Sequence, residues 1–481
     1  MTEEQAKTPA KRRRRRRRPS PISDSSPATH VDGEANPDGA APAPDSGNSS
    51  VAPQERRRRR RGGMPEGGDP QSSGRAQTRQ SGSGRQPHSR PQRQGRDFHQ
   101  AVPSGPQVEL SGIIEIGKDG SGYLRQLAKD LVPQPSDPMV PQQLVRRYKL
   151  KNGSLLVGQG AEGTANRGGR LVSIDTIDGF PLAELPPTRG FKNLTVIDPD
   201  FHYELGGFAQ EGQLSMRITD LLCPIGRGQR GLLVAPPRTG KTTLLMNVAA
   251  AMEALYPDVH LIVLLVDERP EEATYWRRNI KNGEVFVSTM DQSPQNHARL
   301  SELVQFRAER LVEAGKEVMI LLDSITRMTR AFNNVLGGKD SRTMSGGLDA
   351  RVFQRPKHFF GAARNTENGG SLTILATALV QTGSRMDEVI YEEFKGTGNM
   401  ELTLDRRLAD RRIFPALAIE HTATRKEEKL LSRTTLRKVN ILRRVLSRMR
   451  PREAMEMLVD RIGQYPSNQD FLAAFSMDDV Q

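Results

Sequence analysis

The stretch Ala235-Pro-Pro-Arg-Thr-Gly-Lys-Thr242 constrains this chain more than any other, because the apolar run Leu232–Ala235 leads into it and the helix-compatible run Thr243–Ala250 leads out. A strand, a tight turn and a helix in that order form a phosphate-binding loop, whose successive backbone N–H groups wrap a phosphate at a helix N-terminus. Lys241 then bridges the β- and γ-phosphates, and the Thr242 hydroxyl holds Mg²⁺. The chemistry implied is hydrolysis of a nucleoside triphosphate. The usual first glycine is Ala235 here, and Pro236 and Pro237 follow it, so the flanking strand and helix carry the reading.

From about Leu205 onward, apolar runs alternate with helix-like segments, which is the signature of a mostly parallel α/β sheet. The expected strands are Leu232–Ala235, Leu261–Val266, Val318–Leu322 and Ser371–Leu379. They are rich in Val, Ile and Leu without polar alternation, as strands covered on both faces are. Function in such a sheet gathers at the C-terminal strand ends. The second run ends in Asp267-Glu268 and the third in Asp323-Ser324. An Asp closing an apolar strand suits Mg²⁺ beside the loop threonine, which points to Asp323 together with Thr242. Glu268, at the neighbouring tip, suits orienting and polarising the attacking water. Ordinary charges at strand ends would not account for three ends that jointly supply Lys241, Glu268 and Asp323. Charge on the γ-phosphate also calls for a cation, often from a neighbouring subunit, and the arginines after Asp405 are too many for spacing to select one.

With 481 residues the chain has room for two or three domains. Its net charge of +14 is unevenly spread: residues 1–97 hold 21 Lys and Arg against 11 Asp and Glu, so +10 sits there. That segment has no aromatic residue and is crowded with Pro, Gly, Ser, Gln and Arg, so it cannot bury enough apolar surface to offset ordering entropy. We expect a disordered basic tail over 1–105, whose runs Arg12–Arg18 and Arg56–Arg61 suit sequence-independent phosphate contact. Residues 106–182 carry short β-like runs, Leu110–Ile116, Gly122–Gln126, Leu155–Gly158 and Arg170–Ile177, punctuated by Gly and Pro. They predict a small OB/cold-shock-like barrel, with Tyr123 as a base-stacking platform and Arg125 as a phosphate or base contact. A linker is expected over 183–204 and the α/β domain over 205–481. One cysteine, Cys223, excludes an intramolecular disulfide and a Cys-cluster metal site. No run approaches the ~20 apolar residues of a membrane span, and the charged start lacks a secretory core, so a cytoplasmic protein is expected.

Four longer strings then take on weight: Gly226–Gly231, Leu264–Glu272, Leu321–Arg327 and Tyr391–Glu401. Together, in this order, they resemble the Rho transcription termination factor family over roughly residues 108–470. The resemblance implies a homohexameric ring of RecA-like P-loop ATPase domains, each preceded by an RNA-binding barrel. Such a ring uses ATP and Mg²⁺ to pull single-stranded RNA through its centre and to dislodge it from an RNA polymerase elongation complex. By motif, Gly226, Arg227, Gly228, Gln229, Arg230 and Gly231 resemble one nucleotide-binding segment, and Arg238, Thr239, Gly240, Lys241, Thr242 and Thr243 the other. Lys241 resembles the P-loop lysine, Glu268 the catalytic glutamate, Arg269 an arginine near the phosphates, and Asp323 the Mg²⁺-side aspartate. Phe414 matches the ring that packs on adenine, and Arg425 the arginine finger entering the next subunit's site.

Two central-channel loops should grip RNA by the same resemblance. Arg342, Thr343, Met344, Ser345, Gly346 and Gly347 match the first, and Arg385 within Gly383–Asp387 the second, each with Arg where the family more often has Lys. Charge is kept while a point ammonium becomes a planar fork. The barrel departs further: Ser121 stands at one of two expected aromatics, and Met139 and Leu171 replace two more. Each stacked base contributes about 1–3 kcal/mol, so the primary RNA site should be weakened or altered, with the arginine-rich tail restoring affinity electrostatically. A DNA helicase, a rotary-ATPase subunit and an RNA-binding scaffold with a vestigial nucleotide site are the competing readings.

Overall fold

Leu261, Val263 and Leu265 point into one hydrophobic core while Ile262, Leu264 and Val266 point into another. This strand therefore reads as unbroken apolar sequence because both of its faces are covered. The computed structural model describes residues 107–474 except 165–167, 187–188, 209, 211 and 337–350. The predicted tail and the first channel loop, Arg342–Gly347, lie outside the described residues.

The N-terminal module has strands β1 (Gln107–Ile116), β2 (Gly122–Arg125), β3 (Met139–Val140), β4 (Leu155–Ala161), β5 (Arg170–Leu171), β6 (Thr176–Ile177) and β7 (Phe180–Pro181), with helix α1 (Gln142–Arg147). The order β1-β2-β3-β5-β4 closes through β1–β4 pairing into a five-stranded barrel. Ile114, Leu124, Val140, Leu156 and Leu171 fill it. Strand β4 alternates, and its inward positions include Gly158 and Gly160. A Cβ there would lie 2.1 Å from the Ser173 carbonyl oxygen and 2.4 Å from that of Arg170, so only glycine lets these strands close. The expected strand Arg170–Ile177 is split in two by the turn between β5 and β6.

The segment expected as a linker is pinned rather than free. Its strand β8 (Val196–Ile197) pairs with β13 (Asn365–Thr366), and Phe191 is buried.

The second module comprises α2 (Gln213–Leu222), β9 (Arg230–Ala235), α3 (Lys241–Leu255), β10 (His260–Glu268), α4 (Pro270–Asn279), β11 (Glu284–Thr289), α5 (Pro294–Glu313), β12 (Glu317–Asp323), α6 (Ile325–Leu336), α7 (Gln354–Gly361), β14 (Ser371–Leu379), α8 (Arg385–Lys395), β15 (Met400–Thr403), α9 (Arg406–Asp410), β16 (Ala423–Thr424), α10 (Arg433–Leu446), α11 (Pro451–Gly463) and α12 (Asn468–Ala474). The sheet order is β11-β10-β12-β14-β9-β15-β16, parallel except for β16 at the edge. Helices α2, α3, α4 and α10–α12 cover one face and α5–α8 the other. Strands β9, β10, β12 and β14 thus end side by side, which brings their C-terminal residues into one cleft.

Ion pairs fasten the barrel to the α/β module. Glu115 meets Arg299 at 3.0 Å, Asp178 meets Arg307 at 2.7 Å, and Lys151 meets Glu313 at 3.0 Å. Gly153 lies so close to helix α5 that a Cβ would stand 2.3 Å from the Phe306 carbonyl carbon.

Candidate active site and nucleic-acid interface

The loop between β9 and α3 turns through left-handed backbone at Arg238 and Gly240, with φ of 67° and 83°. Gly240 supports this conformation without a Cβ cost, and Thr239 braces the turn by donating from its hydroxyl to the Pro236 carbonyl at 2.7 Å. Lys241 opens α3 and donates to both carboxylate oxygens of Asp323 at 2.5 Å. Asp323, fully buried at the end of β12, also accepts from the Thr377 hydroxyl on β14 at 2.8 Å. The Thr242 hydroxyl donates to Glu272 at 3.3 Å, while Thr243 is exposed. The Phe414 ring covers the loop, 3.4 Å from where a Gly240 Cβ would stand.

At the tip of β10 the pairing with β11 shifts register between Val266 and Glu268, and Asp267 adopts φ of 55°. That bulge turns Glu268 into the cleft. Its carboxylate is 2 % exposed, with Oε1 3.5 Å from the Arg327 guanidinium and Oε2 without a hydrogen-bond partner. Burial, and then the Asp323 carboxylate, push its pKa up to about 7, against the pull of Lys241 and Arg327. Arg327 also donates to the Asp267 carbonyl oxygen. Carboxylate oxygens of Glu268, Glu272 and Asp323 lie within 4.8 Å of one another. The orphaned Glu268 oxygen and the Thr242 hydroxyl beside them make a hard-oxygen donor set that fits a divalent cation. Arg269 caps α4 with its side chain exposed beside this cleft.

Two expected groups do not join the cleft within the chain. Gly226–Gly231 stands at the start of β9 and the P-loop at its end, about 20 Å apart for a six-residue strand. Its side chains are engaged locally: buried Gln229 bonds Asn399, Arg227 bonds Glu317, and Arg230 donates to the Thr397 and Ala363 carbonyls. This segment and the chain's own P-loop therefore flank opposite ends of one strand. Arg425 lies at the same far end, its N–H bonded to the Asn399 carbonyl at 2.9 Å and its side chain exposed. Its loop is braced by a two-point fork from Arg443 to Glu427, at 2.8 and 2.9 Å, and by Lys426 and Lys429 on Asp198.

Arg385 opens α8 and is exposed. Two residues on, buried Asp387 receives Arg330 at 2.8 and 2.6 Å and the Thr382 hydroxyl at 2.6 Å. In the barrel, Tyr123 is 37 % exposed, opposite Met139 in the strand register, with Arg125 5.2 Å from its ring centre. Arg125 itself is held by Glu115 at 2.6 Å and Asp137 at 2.7 Å, so it supports the tyrosine from within the wall while two carboxylates neutralise it. Ser121 is turned to Asp119, and Leu171 is buried in the barrel core.

Comparison with known proteins fits this two-module layout. Residues 110–182 match the profile of the Rho termination factor RNA-binding domain, and residues 215–423 match that of the ATP synthase alpha/beta family nucleotide-binding domain. Transcription termination factor Rho of Pseudomonas aeruginosa is 46 % identical over 76 % of this chain and 88 % of its own length. The chain belongs to the Rho family. The Rho of Aquifex aeolicus is 46 % identical over 77 % of this chain and 85 % of its own, and that of Escherichia coli 44 % over 77 % and 89 %. As a Rho-family chain it joins an RNA-binding barrel to a nucleotide-binding P-loop domain. Three residues of this Rho cleft escaped the sequence reading. Glu272 lies in the first turn of α4, four residues after Glu268 at the end of β10, Arg327 follows Asp323 by four residues, and Thr377 sits on the adjacent strand. The first two carried a signal in their spacing from the strand ends, whereas Thr377 needed the sheet order.

Proposed function

We propose that this chain is the repeating unit of a cytoplasmic homohexamer that hydrolyses ATP to translocate along single-stranded RNA and to release it from an RNA polymerase elongation complex. One observation carries the shared-site part of this reading: Arg425 stands at the opposite end of β9 from the chain's own Lys241, so only another copy could bring such a finger to the phosphates. Among the described residues no helix is long and apolar enough to cross a membrane.

In the reaction, Lys241 leaves Asp323 to bind the β- and γ-phosphates. Glu268 orients a water in line with the γ-phosphorus and accepts its proton, for which the basicity raised by burial suits it. The new P–O bond forms as the bond to the β–γ bridging oxygen breaks, and the electron pair leaves with ADP. Arg425 of the adjacent copy stabilises the charge on the γ-phosphoryl oxygens. Thr242 and Asp323, with Glu272 beside them, would hold Mg²⁺, which would neutralise phosphate charge when bound. Phe414 would pack on the base, and Arg269 would lie near the phosphates. Arg385 and the Arg342–Gly347 segment would grip RNA, and Tyr123 would stack a base at the barrel.

ATPase rates measured with a panel of homopolymer RNAs and single-stranded DNAs test this. RNA should stimulate turnover at least about tenfold and DNA should not, a difference of about 1.4 kcal/mol or more. Equal stimulation by both would reassign the motor to DNA.

A further inference from the structure

Between Lys429 and Arg452 the chain carries nine Lys and Arg and no Asp or Glu. Four of the nine are engaged: Lys429 with Asp198, Lys438 with the Leu472 carbonyl, Arg443 with Glu427 and Arg452 with Glu456. Arg433, Arg437, Arg444, Arg448 and Arg450 are exposed and have no side-chain partner among the described residues. On α10, Arg433, Arg437, Asn440 and Arg444 fall within an arc of about 60° at 3.6 residues per turn, in a row about 16 Å long. The opposite face, Val439, Leu442 and Leu446, is buried in the core, so the helix cannot turn this row away from solvent. Arg448 and Arg450 continue the row past the helix end.

Helix stability explains Arg444, in the last turn, but not Arg433 and Arg437. Arg433 occupies the first turn of α10, where a cation opposes the helix dipole, and it stands four residues from Arg437, a like-charge spacing that destabilises a helix. A bound anion would relieve both effects. We propose that α10 carries an additional binding surface for the phosphate backbone of single-stranded RNA, outside the barrel and the loops at Arg342 and Arg385. The strip is an open row on one side of the helix, flanked by half-exposed Leu436 and Ile441 and backed by buried Val439, Leu442 and Leu446. It also lacks the aromatic or aliphatic anchor on which protein partners depend, since the other exposed positions are Thr434, Asn440 and Ser447.

The inference rests on the RNA-binding reading of the chain, and the salt dependence of RNA binding separates the two. The full chain and its Arg433→Gln/Arg437→Gln/Arg444→Gln variant are titrated with a long unstructured homopolymer RNA. Loss of three phosphate contacts should flatten the slope of log affinity against log salt by about 2, equivalent to about 100-fold across a tenfold change in salt. The triple Arg→Lys variant should keep the wild-type slope, and the melting temperature of the Gln variant should not fall. An unchanged slope in the Gln variant overturns the proposal while leaving RNA binding elsewhere intact. So does a change seen with duplex DNA alone, or a defect confined to assembly of the chain with itself or to capture of an acidic protein. A wild-type chain that does not bind RNA would instead refute the underlying reading.

Discussion

Replacing Glu268 with Gln should stabilise the nucleotide-free protein and silence it at the same time. The carboxyl titrates near 7 in the folded cleft against 4.5 ordinarily, because it is buried and faces Asp323. Folding therefore favours its protonated form. Below about pH 4.5 both states hold the proton and the site costs nothing. As pH rises toward about 7 the unfolded chain ionises first, stability is lost, and above that the cost is constant. At 1.36 kcal/mol per pH unit the ceiling is about 3 kcal/mol, and water entering the open cleft reduces it to about 1–2 kcal/mol. The Gln variant keeps size and removes the charge. In urea unfolding without nucleotide or Mg²⁺, at matched protein concentration, it should be more stable than wild type by about 1–2 kcal/mol at pH 8. At about pH 5.5 that gain should shrink by more than half. RNA-stimulated ATPase should fall at least about 100-fold. A gain independent of pH would refute the electrostatic account, and substantial turnover would show that another residue positions the water.

Two further outcomes follow from the placement of Arg425 and Tyr123. Arg425→Ala and Lys241→Ala should each be inactive alone, yet mixing the two before assembly should restore RNA-stimulated ATPase, because some junctions then pair an intact finger with an intact P-loop; no recovery in mixed rings rejects a finger acting between copies. Tyr123→Ala should weaken binding of a short RNA oligonucleotide at high salt by about 1–3 kcal/mol, and undiminished affinity there would show that the exposed ring stacks no base.

The strand ends were legible because β9, β10, β12 and β14 are buried on both faces and run as apolar blocks. Ser371–Leu379 appears with the expected bounds. Strand β15, Met400–Thr403, has only four residues with alternating burial and merges into its surroundings in the sequence, while β11 begins at a partly exposed Glu284. The pinned linker was hidden for another reason, since β8 acquires its partner from residues 365–366, far along the chain. Arg125 meets Glu115 and Asp137 because β2 pairs with β1 on one side and β3 on the other, contacts that lie ten and twelve residues away in the sequence. Gly226–Gly231 enters the strand that leads to the P-loop, so it is near that loop in sequence and a strand's length away in space.

The same geometry explains why one cation serves two masters in the cleft. Lys241 is the ammonium that faces Asp323, and its charge also acts on Glu268. Were Lys241 to bind a phosphate as proposed, Asp323 would keep the neutral Thr377 hydroxyl among the described residues, and the three clustered carboxyl groups would lose this ammonium. In the proposed reaction, losing the Lys241 charge would make an ionised Glu268 costlier, so phosphate binding would favour uptake of a divalent cation or of a proton there. Helix α6 connects the cleft to the base of the segment that carries Arg385. Arg327 reaches the Glu268 carboxylate, and Arg330, one turn on, holds Asp387 beneath the loop.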